Sequence, residues 1–390
     1  MGKMEKTTRK SVAILLLCIA LLSAGCWDRR EIEDMGMVVG VAIDKGKGKQ
    51  KNKIVITNQF VNTLTGKKEE ATVHRAYNLE SAEINVYETS KYMSTLTDNT
   101  PYYTHLKVIV ISEDIATSVD LMNLINWFLR DRQLRRTINI VIAKGSAKEI
   151  LKKETEKGEI PSIEIWGTTK NYKDTAKIPI FLTIGEMGMN MTQKKSYLVQ
   201  RIEPQKKWVK LSGAAVISGK ERKLIGWLND QDMLGLKFLQ GGKQATGSGV
   251  IPVIDPDTKN PIVYEYKKIK STINSIGKGD QLAFDVKITS EGLIDEDWNP
   301  NEDAFKEAYI KKAEKLIENQ VKANVEKLLA KMQKKLKADV CGFGTRLKIQ
   351  DYKTWKRLRD NWDQEFSKAS INVSVKIHVR EFGGKGKKKI

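Results

Sequence analysis

The 390-residue chain holds only three cysteines and three histidines, and that scarcity removes several chemistries at once. A structural zinc site needs clustered Cys and His, and neither CxxC nor HExxH occurs. No Asp-rich calcium loop is present. Gly241 to Gly249 is rich in glycine, yet it lacks GK[ST] and opens no helix, and there is no G-x-S-x-G elbow. Cys18 and Cys26 lie near the start, which leaves Cys341 alone. No disulfide can then form within the rest of the chain, and packing must hold the fold. Cys341, between Val340 and Gly342, reads as a small buried hydrophobe. A nucleophile would need a base, and His74, His105 and His378 are distant in sequence. Beyond the N-terminus no apolar run approaches the roughly 20 residues that span a bilayer. An enzyme would therefore rest on no positive feature; paired carboxylates, whose spacing is spatial, are the one chemistry left open.

What is present begins at the N-terminus. Lys3, Lys6, Arg9 and Lys10 precede an apolar run from Val12 to Leu22, and Ser23-Ala24-Gly25 follow it. A basic start, a short apolar stretch and small residues make the layout of a secretory signal peptide. The small residues end in Cys26, an arrangement that resembles a bacterial lipobox, in which the cysteine is lipidated and becomes the mature N-terminus. Ser23 stands where such boxes usually carry Leu, and Leu22 lies one place further out. An ordinary cleaved signal and an uncleaved anchor are the alternatives. The expectation is a signal over residues 1–25, lipid on Cys26, and an ectodomain held outside the cytoplasmic membrane.

Lys and Arg number 68 against 48 Asp and Glu, a net charge of +20. Nucleic acid is the usual partner of such charge, but the export signal argues against it. The nearest anionic surface for an exported, anchored protein is the membrane itself, where a basic residue close to the headgroups contributes roughly 1 kcal/mol. A generally solvated lysine-rich surface explains the charge equally well.

Along the chain, Met37–Ile43 and Ile54–Val61 read as a hairpin of two strands, Ala71–Tyr77 as a third, and Leu79–Leu96 as a helix. His105–Ile111 and Thr137–Ala143 are strands that bracket a helix from Leu121 into Arg130–Arg136; Ser112 and Ser146 stand as N-caps. Gly185–Asn190 reads as a loop or frayed helix end. Trp208–Ile217 and Arg222–Leu228 form a hairpin, and Asp230 caps a helix that Gly241-Gly242 ends. Strands follow at Gly249–Ile254, Ile262–Ile269 and Leu282–Thr289. Glu302–Ala338 is a long amphipathic helix whose apolar stripe fits core packing, a membrane surface or a partner; its many glutamates favour a solvated outer face. A helix over Tyr352–Phe366 places Trp355, Leu358, Trp362 and Phe366 together, and Ile371–Val379 closes the chain as a strand with His378 on its polar face. Strands alternating with helices predict an α/β fold with mixed α+β sheets. The ectodomain divides into 26–205 and 206–390, the latter itself divided near 275 into 206–275 and 276–390.

The order of short motifs carries a resemblance. Cys26-Trp27-Asp28-Arg29-Arg30-Glu31-Ile32, then Gly36, Val39-Gly40 and Ala42-Ile43-Asp44, resembles the opening of the Ger(x)C family, the lipoprotein C subunits of bacterial spore germinant receptors. His105–Ile111 with Ser112-Glu113, Phe128-Leu129-Arg130-Asp131, Gly213-Ala214-Ala215-Val216 and Leu224–Leu228 are similar to further family segments. So are Asp339-Val340-Cys341-Gly342-Phe343-Gly344 and the pair Trp355 and Trp362. The resemblance covers nearly the whole mature chain; Ser23 and Cys341 depart from it. It implies three α/β lobes and a non-catalytic, cofactor-free subunit lipidated at Cys26. It implies partners in A-type and B-type membrane subunits, at the outer face of the cytoplasmic membrane that becomes the spore inner membrane. The membrane-proximal residues Trp27, Asp28, Arg29, Arg30 and Glu31 are then the candidate contact segment. A solute-binding lipoprotein of a transporter is the other function considered, and it would need a ligand cleft between two lobes.

Overall fold

Strand β1 (Met35–Lys45) is the axis of the larger of two sheets. The computed structural model describes Ala13 and residues 35–62, 75–153, 158–206, 208–242, 245, 247–277, 281–299 and 306–382. β2 (Ile54–Val61) and β3 (Ala76–Glu83) add to one side of β1 in antiparallel fashion. On the other side β5 (Val108–Ser112), β6 (Asn139–Ala143) and β8 (Tyr197–Pro204) run parallel to it in turn. β9 (Val209–Ile217) and β10 (Leu224–Leu228) finish that edge as antiparallel strands. Two short strands, β4 (Thr100–Tyr102) and β7 (Leu182–Thr183), pair with β1 and β6.

A parallel centre covered on both faces needs apolar residues at every position, and the sequence supplies them. Ile109, Ile111, Ile140 and Ile142 point into one core; Val108, Val110, Val141 and Ala143 point into the other. Helices α1 (Val86–Tyr92), α2 (Glu113–Ser118) and α3 (Leu121–Arg130) cover the first face. α4 (Ala147–Leu151) and α5 (Pro161–Thr168) cover the second, and α6 (Ile184–Thr192) returns to the first. Gly40 in β1 lies so close to α5 that a Cβ there would overlap Ser162 Cβ. The contact is held by Gln59, whose Oε1 accepts the Ser162 N–H at 2.9 Å and whose Nε2 donates to Leu151 O at 2.8 Å.

The second sheet has the order β11 (Val250–Ile254), β12 (Pro261–Ser275), β13 (Ala283–Asp297), β14 (Ser370–Phe382), with β14 parallel to β13. Helix α7 (Asp230–Gln240) and the long α8 (Glu307–Ala330) pack against it, and α8 runs on into a π-helical turn, Lys331–Leu336. Tyr309, Ala313, Ile317, Val321, Val325 and Leu328 recur every three or four residues and are all buried. Their core takes in Ala214, Val216 and Leu228 of the first sheet, so the two sheets share a core. Three short helices, α9 (Phe343–Gln350), α10 (Tyr352–Leu358) and α11 (Trp362–Lys368), lead to β14. The fold is α/β with mixed sheets. β8 and β9, which flank residue 205, are neighbours in one sheet, and β12 and β13, which flank residue 276, are neighbours in the other.

Several local expectations are corrected. Residues 79–83 continue β3 rather than opening a helix, because pairing with β2 outweighs the local pattern; the helix starts only after Asn85, whose side chain accepts the Glu88 N–H. Gly185–Asn190 is helical: Thr183 and Glu186 form a capping box, and Gly188 lets the helix approach Leu129. α3 ends at Arg130. The long helix is regular over 307–330, and its expected start at Glu302 lies outside the described residues. The helix expected over Tyr352–Phe366 breaks at Arg359–Asn361. Neither Ser112 nor Ser146 caps through its side chain.

Gly40→Ala should cost about 1–3 kcal/mol in urea unfolding, since β1 or α5 must shift to admit the methyl. Gly167→Ala, in α5 with open space where the Cβ would go, should be neutral or stabilising by up to about 1 kcal/mol.

Candidate functional site

Cys26, Trp27, Asp28, Arg29, Arg30 and Glu31 lie outside the described residues. The motif residues that follow them are placed, and each has a structural task. Gly36 makes room for the Phe60 ring beside Asn99. Asp44 accepts the N–H groups of Ala147 and Lys148 at 2.9 and 2.7 Å, which caps α4 from the far end of β1. The second pair of motifs meets in space: Trp227 Nε1 in β10 donates to Glu113 Oε1 at 3.0 Å. Gly213, at φ 72°, crosses so near Leu228 that no Cβ fits there.

The third motif forms a clamp around Asp339, a carboxylate 5% exposed. Its Oδ1 accepts the N–H groups of Cys341, Gly342 and Phe343 at 3.0, 2.8 and 3.2 Å. Its Oδ2 accepts Gly344 N–H at 2.7 Å and the Trp362 indole N–H at 2.9 Å. The carboxylate thus starts α9 and fixes the tryptophan in one step. Gly344 has no Cβ because Trp362 and Trp355 stand 2.7–2.8 Å from where it would be. The Asp339 N–H in turn donates to Asp363 Oδ1 at 2.9 Å. Asp363 Oδ2 accepts the Ser196 hydroxyl at 2.6 Å, and Ser196 Oγ accepts Gly219 N–H at 3.1 Å. This chain ties the C-terminal helices to the first sheet. Burial pushes the Asp363 carboxyl above its ordinary range; the hydrogen bonds from Asp339 and Ser196 offset part of that rise.

Cys341 is buried, as its sequence setting suggested, with Sγ 3.5 Å from the Met332 sulfur. Burial and the Asp339 charge push its thiol well above the ordinary value, which disfavours the thiolate. Among the described residues no group of three or more His, Cys, Asp or Glu side chains could hold a metal ion.

A cleft of about 800 Å³ opens where the two sheets meet, between the start of β8, one face of α7, the middle of β12 and the clamped segment 340–346. Lys195, Lys237, Lys268, Lys270 and Arg346 line it, and no Asp or Glu does. Met233, Leu236, Lys237 and Gln240 reach it from a single face of α7, at helical spacing. Lys237 is only 1% exposed, and burial lowers its ammonium from 10.5 to about 8. These five cations come from four separate parts of the chain, and the sequence expectations included none of them. Lys237, a charge inside an otherwise apolar helical stretch, was the one signal available.

This architecture defines a two-sheet α/β protein whose motif residues bind one element to another. A family model described as "Spore germination protein N-terminal domain" matches residues 28–204, and one described as "Spore germination B3/GerAC like, C-terminal" matches residues 212–383. Spore germination protein YndF of Bacillus subtilis (strain 168) is 34% identical over 403 residues, spanning 97% of this chain and 98% of that protein. Spore germination protein B3 of the same organism is 27% identical over 384 residues, spanning 98% and 100%. The crystal structure of the GerBC protein shares the fold at a TM-score of 0.60 and 24% identity, covering 90% of this chain and 99% of that one. The chain belongs to the Ger(x)C family of spore germination proteins. Its full-length relatives give no support to the solute-binding alternative.

Lys237 carries a pH signature. Its folded-state value is lowered, so between about pH 8 and 10.5 the unfolded chain binds more protons and stability rises with pH. Below pH 8 the buried charge opposes folding. Lys237→Met should therefore be more stable than the wild type at pH 7, by about 1–2 kcal/mol, with the advantage shrinking by pH 10. Urea unfolding at the two pH values reads the difference.

Proposed function

We propose that the chain is the lipid-anchored C-type subunit of a nutrient germinant receptor and is needed for that receptor to assemble and to trigger germination. The observation that carries this reading is the end-to-end similarity to spore germination proteins, with 97% or more of this chain matched to YndF, B3 and A3. The subunit acts without catalysis or cofactor, as a scaffold beside A-type and B-type membrane subunits on the outer face of the cytoplasmic, later spore inner, membrane. No helix among the described residues is long and apolar enough to cross a membrane; in this reading attachment is through the lipid on Cys26. Met35 follows Cys26 closely; fully extended, the link reaches about 30 Å, which keeps β1 near the bilayer. Trp27 suits the headgroup level, and the mixed charges of Asp28, Arg29, Arg30 and Glu31 suit pairing with a partner's charges better than lipid alone.

The tests are direct. Mass spectrometry of membrane-extracted protein should show a diacylglycerol-modified N-terminal Cys26, and Cys26→Ala should lose it. Spores carrying Arg29→Glu with Arg30→Glu should hold less of the partner subunits and germinate more slowly on nutrients, with the unfolding midpoint of the purified protein unchanged. Wild-type germination rates and wild-type subunit levels in those spores would reduce the segment to a tether.

A further inference from the structure

The cleft at the junction of the sheets is a built cavity with one sign of charge. Its volume of about 800 Å³ lies within the range of small-molecule sites. Lys195, Lys268, Lys270 and Arg346 form no ion pair among the described residues. Asp339 and Asp363, beside the clamped segment, are already committed: Asp339 to four backbone N–H groups and an indole, Asp363 to Ser196 and the Asp339 N–H. The floor is apolar, made by Leu198, Met233, Leu236, Ile269 and Ile273. The Ser271 hydroxyl, on the same wall, is buried without a hydrogen-bond partner.

The wall also decides what size of ligand fits. β11 pairs with β12 only as far as Glu265, so from Lys267 onward β12 has a neighbour on one side alone. Such an edge invites an added strand. Here it is blocked. Gly241 sits against the Ser271 backbone, close enough that a Cβ on it would meet Ser271 N at 2.6 Å. Gln350 covers the next stretch, accepting Ser275 N–H at 2.7 Å and donating to Ile273 O at 2.9 Å. An extended peptide cannot run along the edge, whereas a compact molecule can enter the cleft.

We propose that this cleft binds a small organic anion, its acid group held among Lys268, Lys270, Arg346 and Lys195 and its apolar body on the floor beneath. Lys237 fits the same reading. Its buried ammonium adds a fifth positive charge to the same lining. A zwitterion is disfavoured, because its ammonium finds no carboxylate in the lining. The acid group could come from a soluble metabolite or from a lipid headgroup, and the chemistry is the same.

Calorimetric titration and saturation-transfer NMR on the purified full-length protein at low salt distinguish the sources. The probes are 4-methyl-2-oxopentanoate, its neutral amide, leucine, and dihexanoyl phosphatidate. Binding of the oxo acid assigns a soluble anion, and binding of the phosphatidate alone assigns a headgroup; the amide and leucine should bind at least about tenfold more weakly than the anion that binds. Lys268→Gln with Lys270→Gln, both on exposed side chains, should weaken that anion by about tenfold or more with the thermal midpoint unchanged. No binding of either anion, equal binding of the amide, or an unchanged affinity in the double variant would overturn the proposal.

Discussion

One buried carboxylate organises the junction of this molecule. Asp339 faces five N–H donors, four from the backbone of 341–344 and one from Trp362. A buried carboxylate without partners is untenable, and hydrogen bonds to a charged acceptor contribute roughly 1.5–3 kcal/mol each. The geometry of those donors therefore follows from the charge at their centre. It sets where α9 begins, and it seats Trp362 against Phe284 and Trp355. It also forms one wall of the cleft, since Val340–Gly342, Thr345 and Arg346 all belong to the segment that the clamp shapes.

The clamp matters beyond its own turn because its backbone is tied to the first sheet through Asp363 and Ser196. The sheets themselves reinforce this. β9 and β10 follow the point at which the two family segments divide, yet they pair with β8 and complete the larger sheet. Their inner residues Ala214, Val216 and Leu228 belong to the core of the second sheet and the long helix. Neither half holds a complete set of strands and a complete core without the other. Asp232 with Lys331 at 2.5 Å and Asp255 with Lys312 at 2.9 Å add ion pairs that pin the ends of α8, the latter to the turn after β11.

Much of this was legible in sequence. The alternating or continuous apolar strands at 37–43, 54–61 and 371–379 and the hairpin after Val209 follow directly from period and turn chemistry. Where the sequence misled, a distant partner had decided. Residues 79–83 are strand because β2 lies beside them. α9 is a helix because Asp339 captures its first N–H groups, and nothing in Phe343–Gln350 announces it. The capping box of α6, Thr183 with Glu186, was present to be read, although Gly185–Asn190 reads as a loop or frayed helix end; Gly188 is there for close packing against Leu129. The motifs that marked the family were legible as motifs only. Their physical reasons, a helix cap for Asp44, an indole partner for Glu113 and a clamp for Asp339, required the fold. The cleft cations, drawn from four segments, have no signature in one dimension.

What the molecule presents is a shape: a rigid body of two sheets that share one core, with a cationic cleft between them. That rigidity comes from the clamp and its tie to Ser196. Native-state hydrogen exchange of the amides of residues 341–344, together with the Trp362 indole, measures it directly. They should exchange only through global unfolding, with the same free energy and denaturant dependence as the amides of β5 and β6. Exchange by a low-energy local opening, insensitive to denaturant, would show that the junction is loose and that Asp339 does not hold the two sheets as one body.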